Sequence, residues 1–77
     1  MPKHSFELMF MLPQESPDPE SHLDALFEAG CDDACVGIAK QGWVGLEFTR
    51  EAPDRTSARA SALADVLRAI PGALQTS

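Results

Sequence analysis

No lysine or arginine occurs between Lys3 and Lys40, although eight acids fall in that stretch: Glu7, Glu15, Asp18, Glu20, Asp24, Glu28, Asp32 and Asp33. With a formal charge of -6 and a pI near 4.6, the chain lacks the basic footprint that direct binding to DNA, RNA or anionic lipid requires. Acidic partner surfaces are excluded by the same repulsion, so the expected partners are basic proteins, above all those that hold nucleic acid. No apolar run of about 18 residues is present, and no membrane span is expected. No secretory leader is expected either, because Glu7 interrupts the apolar stretch after Met1-Pro2-Lys3-His4 and no small-residue cleavage site follows. A cytoplasmic protein is expected, with Cys31 and Cys35 as reduced thiols.

Catalytic signatures are also lacking. There is no Gly-x-Ser-x-Gly, phosphate loop or His-Glu-x-x-His. Cys31-x-x-x-Cys35 with His4 and His22 fits no zinc ribbon or finger spacing. A chain of 77 residues supports one domain over 1–77, with a structured core of about 5–74, and is small for enclosing a water-excluded pocket. No catalytic residue, metal or cofactor is expected, and the protein reads as a non-enzyme.

What is there is a clear sequence of periodicities. Phe6, Leu8, Phe10 and Leu12 alternate with Ser5, Glu7, Met9 and Met11, the period of a strand. Pro13 ends it. Asp18 then offers an N-cap with Pro19 in the first helical position, and Leu23, Leu26 and Phe27 give a short helix its buried stripe before Gly30 caps it near Ala29. Ala34, Val36 and Ile38 resume the alternation, and Val44, Leu46 and Phe48 continue it after a Lys40-Gln41-Gly42 turn, predicting a hairpin. Asp54 or Thr56 caps a second helix with Leu63, Val66, Leu67 and Ile70 on its apolar face. Pro71-Gly72 stops it, and Ala73-Leu74-Gln75 offers a strand stub. The expected fold is α+β, ferredoxin-like βαββα(β), with an antiparallel sheet and two helices on one face.

Two surfaces follow. The uncovered sheet face collects Glu7, Met9, Met11, Cys35, Gly37, Trp43, Gly45, Glu47 and Thr49; Met9, Met11, Trp43 and Glu47 are the candidates there for a partner or dimer contact. Glu20, Asp24 and Glu28, spaced i, i+4 and i+8, would stack along one edge of the first helix at ~6 Å intervals, with Asp32 and Asp33 extending the field. Such a rod roughly imitates the step between phosphates, or is simply a solvated face that keeps the protein soluble. Arg50, Arg55, Arg59 and Arg68 make the second half mildly basic, and pairing with Glu51, Asp54 or the first helix is the expected use of them.

The blocks from Leu23 to Ala34, Val36-Gly37-Ile38, Leu46 to Ala52 and Ala69-Ile70-Pro71-Gly72-Ala73 resemble the N-terminal α/β domain of small bacterial helix-turn-helix DNA-binding proteins, over about Ser5 to Leu74. That domain lends no functional residues. Ending soon after Leu74, the chain reads as a stand-alone version. In size and charge it is also similar to the small acidic anti-CRISPR proteins of phages and other mobile elements. This second resemblance implies an inhibitor working in the host bacterial cell as a monomer or weak homodimer. It would place Glu20, Asp24, Glu28, Asp32 and Asp33 on the basic DNA-binding surface of a type I CRISPR effector complex and block target DNA by mimicry. The alternative is a dimerisation or regulatory module of a helix-turn-helix transcription regulator.

Overall fold

The computed structural model describes residues 1–76, apart from the side chain of Ile38. The chain is α+β: β1 (Lys3–Met11), a 3₁₀ turn (Pro19–His22), α1 (Leu23–Glu28), β2 (Ala34–Lys40), β3 (Trp43–Glu51), α2 (Arg55–Ala69) and β4 (Leu74–Gln75). The four strands form one sheet in the order β2-β3-β1-β4, and every neighbouring pair is antiparallel. β1 and β2 therefore run parallel on either side of β3, and β3 and β4 do so on either side of β1.

The register explains the core. Leu8 opposes Leu46, Phe10 opposes Val44 and Phe6 opposes Phe48, so the even-numbered residues of both central strands share the helix-covered face. The Phe6 and Phe48 rings stack with centroids 5.5 Å apart. Leu26 of α1 and Ala58, Ala62 and Val66 of α2 close over this face in the same buried cluster. Asp54 caps α2 by accepting from the Ser57 backbone N–H at 2.7 Å, which settles the choice between Asp54 and Thr56. Of the Gln41-Gly42 turn, only Gly42 takes a positive φ, +87°, where a Cβ would be strained.

Several expected core positions lie elsewhere. The middle of α2 approaches the sheet through Ala58, Ala62 and Val66, spaced i, i+4 and i+8. Alanine allows close approach there, and Leu67 is turned outward at 38% exposure while Leu63 is partly buried. The first helix is shorter than its apolar stripe suggests. Asp18 caps the 3₁₀ turn by accepting from Glu20 N–H at 3.0 Å, and α-geometry covers only the six residues from Leu23. With so short a helix only Leu26 is fully buried; Leu23 and Phe27 are 42% and 67% exposed, and Val36 on β2 is 41% exposed. The core role expected of Ile38 lies outside the described residues.

Candidate functional site

The acidic edge is altered by this local structure. Glu20 projects from a 3₁₀ turn, which winds three residues per turn instead of 3.6, so it loses the register that would stack it over Asp24 and Glu28. Those two keep the i, i+4 relation on α1. Glu20, Asp24, Glu28 and Asp32 are all solvent-exposed, and none enters the ion pairs found among the described residues. Asp33, expected to extend the same field, is placed differently from the other four. Its carboxylate is taken up inside the molecule by Arg50, through Nε to Oδ2 at 2.8 Å and Nη2 to Oδ1 at 2.9 Å.

Arg50 spends all five of its N–H donors this way. Besides the two on Asp33, it donates to Asp65 Oδ2 at 3.0 Å, Ser61 Oγ at 3.1 Å and the Gly30 carbonyl at 2.9 Å. Its guanidinium also lies 5.2 Å from the centroid of Phe48. The planar fork of arginine suits this geometry, because one side chain can serve several acceptors in fixed directions. β3, α2 and the turn after α1 are clamped together at one point. The bonds from Arg50 hold the Asp33 carboxyl below its usual range. Asp65 also accepts from Arg68 at 2.8 Å, and Arg68 reaches the Ala29 carbonyl at the end of α1. The remaining arginines are occupied otherwise than expected: Arg55 donates to the Ser5 carbonyl and Arg59 lies over the Phe6 ring.

The open sheet face divides into zones. Leu74, Met11, Trp43 and Lys40 are successive cross-strand partners over β4, β1, β3 and β2, so they form one row on one face. Met11 is 40% exposed and Leu74 64%, while Met9 and Trp43 are half-buried. Farther along, Glu7 stands directly opposite Glu47, and Glu47 opposite exposed Cys35. A Cβ at Gly37 would sit 3.1 Å from a Glu7 oxygen and 3.4 Å from one of Glu47. Glycine there leaves room for both carboxylates. The structure thus brings Met9, Met11 and Trp43 together, adds Leu74 to them, and sets Glu47 apart with Glu7. The alternation rule could have found Leu74 once its pairing with Met11 was known, but no local signal gives that pairing.

A second apolar feature lies on the other side of the sheet. Leu23, Leu26, Phe27, Cys31, Ala34, Val36 and Leu46 line a groove of about 150 Å³ between α1 and β2. Cys31 is buried in its floor, and burial, with the nearby Asp65 carboxylate, pushes the thiol up to about 11. Sequence periodicity assigned Leu23, Phe27 and Val36 to the core. Periodicity reports which residues share a face, not whether anything covers it.

Neither histidine is placed beside a thiol as a hydrogen-bonded base. His22 Nε2 donates to the Ser16 carbonyl at 2.8 Å and His4 Nε2 to the Ala52 carbonyl at 3.1 Å. Among the described residues no group of three histidine, cysteine, aspartate or glutamate side chains is placed to hold a metal ion, and no helix is long and apolar enough to cross a membrane. No family model matches the chain, and no curated protein or solved structure matches it either.

Proposed function

We propose that this protein is a non-enzymatic, cytoplasmic interaction module that regulates another protein by docking on it. The observation that carries this reading is the placement of large apolar side chains at the surface in two groups, Leu23, Phe27 and Val36 in one groove and Leu74, Met11 and Trp43 in one row. Clustered exposed apolar residues of this kind are characteristic of contact sites. The scaffold is read as ferredoxin-like, a plan supported by the strand order β2-β3-β1-β4 and the two split βαβ units it contains.

A helix-turn-helix regulator is the partner this reading favours. It is supported by the sequence blocks within about Ser5 to Leu74 that resemble the N-terminal domain of such proteins, and the row centred on Met11 and Trp43 would offer a dimer contact across the open sheet. Sedimentation of the wild type against Trp43→Ala tests it. Concentration-dependent dimerisation that the variant loses is expected; a wild type that stays monomeric at every concentration refutes the sheet-mediated dimer.

The second reading is an anti-CRISPR-type inhibitor that blocks target DNA binding by a type I surveillance complex. It is favoured by Glu20, Asp24, Glu28 and Asp32, which are exposed and lack cationic partners among the described ion pairs. The loss of Asp33 to Arg50 and the break in helical register weaken the even, phosphate-like spacing on which mimicry depends. Competition with labelled target DNA on a purified type I complex decides the matter. Unchanged DNA binding in excess protein sinks this version, and charge reversal at Glu20, Asp24 and Glu28 should abolish inhibition while leaving a sheet dimer intact.

A further inference from the structure

The helical layer over the sheet is incomplete on one side. α2 has 15 residues and α1 only six, while β2 is the sheet edge beyond β3. Val36 opposes Leu46, which opposes Leu8, so Val36 belongs to the covered face. Leu46 and Leu8 are buried, yet Val36 stays 41% exposed. Nothing in α1 reaches far enough to seal it. Leu23 and Phe27, one turn apart on α1, form the opposite wall of the groove.

We infer that this groove seats an amphipathic helix of a partner protein, one whose apolar stripe is flanked by lysine and arginine, laid beside α1 as a third helix over β2. The inference rests on the reading of the chain as an interaction module and names the partner chemistry of one of its surfaces. A helix fits better than an added strand. β2 carries a bulge between Val36 and Ile38, and Lys40 stands at its end, both devices that discourage pairing along a sheet edge. Leu23 and Phe27, one turn apart on α1, instead present an i, i+4 ridge against which the side chains of a second helix can pack.

The charge of the occupant follows from the acids that neighbour Leu23, Phe27 and Cys31 in the chain. Asp24, Glu28 and Asp32 are exposed on α1 and the turn that follows it. The arginines that reach this end of α1 are already engaged: Arg50 by Asp33, Asp65 and the Gly30 carbonyl, and Arg68 by Asp65 and the Ala29 carbonyl. An apolar helix without cations would leave these carboxylates unmatched. An acidic one would be repelled.

The probe is a fluorescein-labelled helical peptide of leucine and lysine, about four turns long, with its leucines on one face. Its controls are an isomer of the same composition without a stripe and a glutamate analogue. Anisotropy titration gives affinity, and amide chemical-shift mapping gives location. Tightest binding by the striped basic peptide is expected, with shifts at Leu23, Phe27 and Val36. Affinity should fall about tenfold or more in Leu23→Ser/Phe27→Ser and stay unchanged in Trp43→Ala. Both serine substitutions are at exposed positions, and an unchanged melting curve verifies the fold; Asp24→Lys/Glu28→Lys, which leaves the apolar wall alone, should also weaken the basic peptide.

Equal affinity for the striped and stripeless isomers, or for wild type and the serine variant, overturns the inference. Shifts confined to Met9, Met11 and Trp43 overturn the groove but leave the interaction module standing. No binding by any peptide, together with a monomeric protein that does not compete with DNA, overturns both.

Discussion

Replacing Arg50 by methionine would remove one side chain that ties three elements together. Methionine retains much of the stem's bulk against Phe48, so the loss is mainly polar. Hydrogen bonds to charged groups contribute roughly 1.5–3 kcal/mol each, and three of the five from Arg50 go to carboxylate oxygens. A simple sum overstates the effect. The Asp33 and Asp65 side chains keep 29% and 18% of their exposure, so both would regain water when the guanidinium is gone. The Gly30 carbonyl and Ser61 hydroxyl, both open to solvent, rehydrate as well. A net loss of about 2–3 kcal/mol is expected, below the value for breaking a fully buried pair. For a domain of this size that is a fall of about 10–20 °C in Tm. Urea and thermal unfolding followed by circular dichroism measure it, and Arg50→Lys should fall between the two because an ammonium cannot serve all five acceptors. A double-mutant cycle with Asp33→Asn isolates the pair. A loss under about 0.5 kcal/mol, the range of an ordinary surface change, or no coupling to Asp33, would refute the clamp.

Three further outcomes follow from the same geometry. Asp33, held by Arg50, and Asp54, held by the Ser57 N–H, both have folded pKa values below the unfolded ones; their stabilisation is complete above about pH 4–5 and is lost as pH falls through the folded values. The urea midpoint should hold from pH 7 to 5 and decline below about 4, less steeply in Asp33→Asn, whereas an identical decline in that variant would contradict the assignment. An aromatic disulfide reagent should titrate exposed Cys35 at once and buried Cys31 only in denaturant; equal rates in the folded state would place Cys31 wrongly. Glu47→Gln should raise stability by a few tenths of a kcal/mol, since it relieves the carboxylate opposite Glu7, and a lower urea midpoint would show that the two acids do not repel.

The sequence alone determined much of this protein. Alternation in Phe6 to Leu12 and Val44 to Phe48 defined the central strands, because a period of two admits no other regular structure. Asp18, Gly42, Asp54 and Pro71-Gly72 marked ends and turns, since each answers a local backbone requirement. The even-numbered core and the candidates Met9, Met11 and Trp43 on the opposite face followed from that alternation. Only the tertiary structure decided which apolar residues are covered. Leu23, Phe27 and Val36 share the inward face with true core residues, and what separates them is the short reach of α1, which no pattern within a segment encodes. The fate of charge was decided the same way. Asp33 and Asp32 are adjacent and chemically alike, but the position of Arg50 on β3, 17 residues later, takes one into an internal clamp and leaves the other at the surface. Local periodicity specifies the face on which a residue lies. Burial and pairing depend on what the rest of the chain brings to that face.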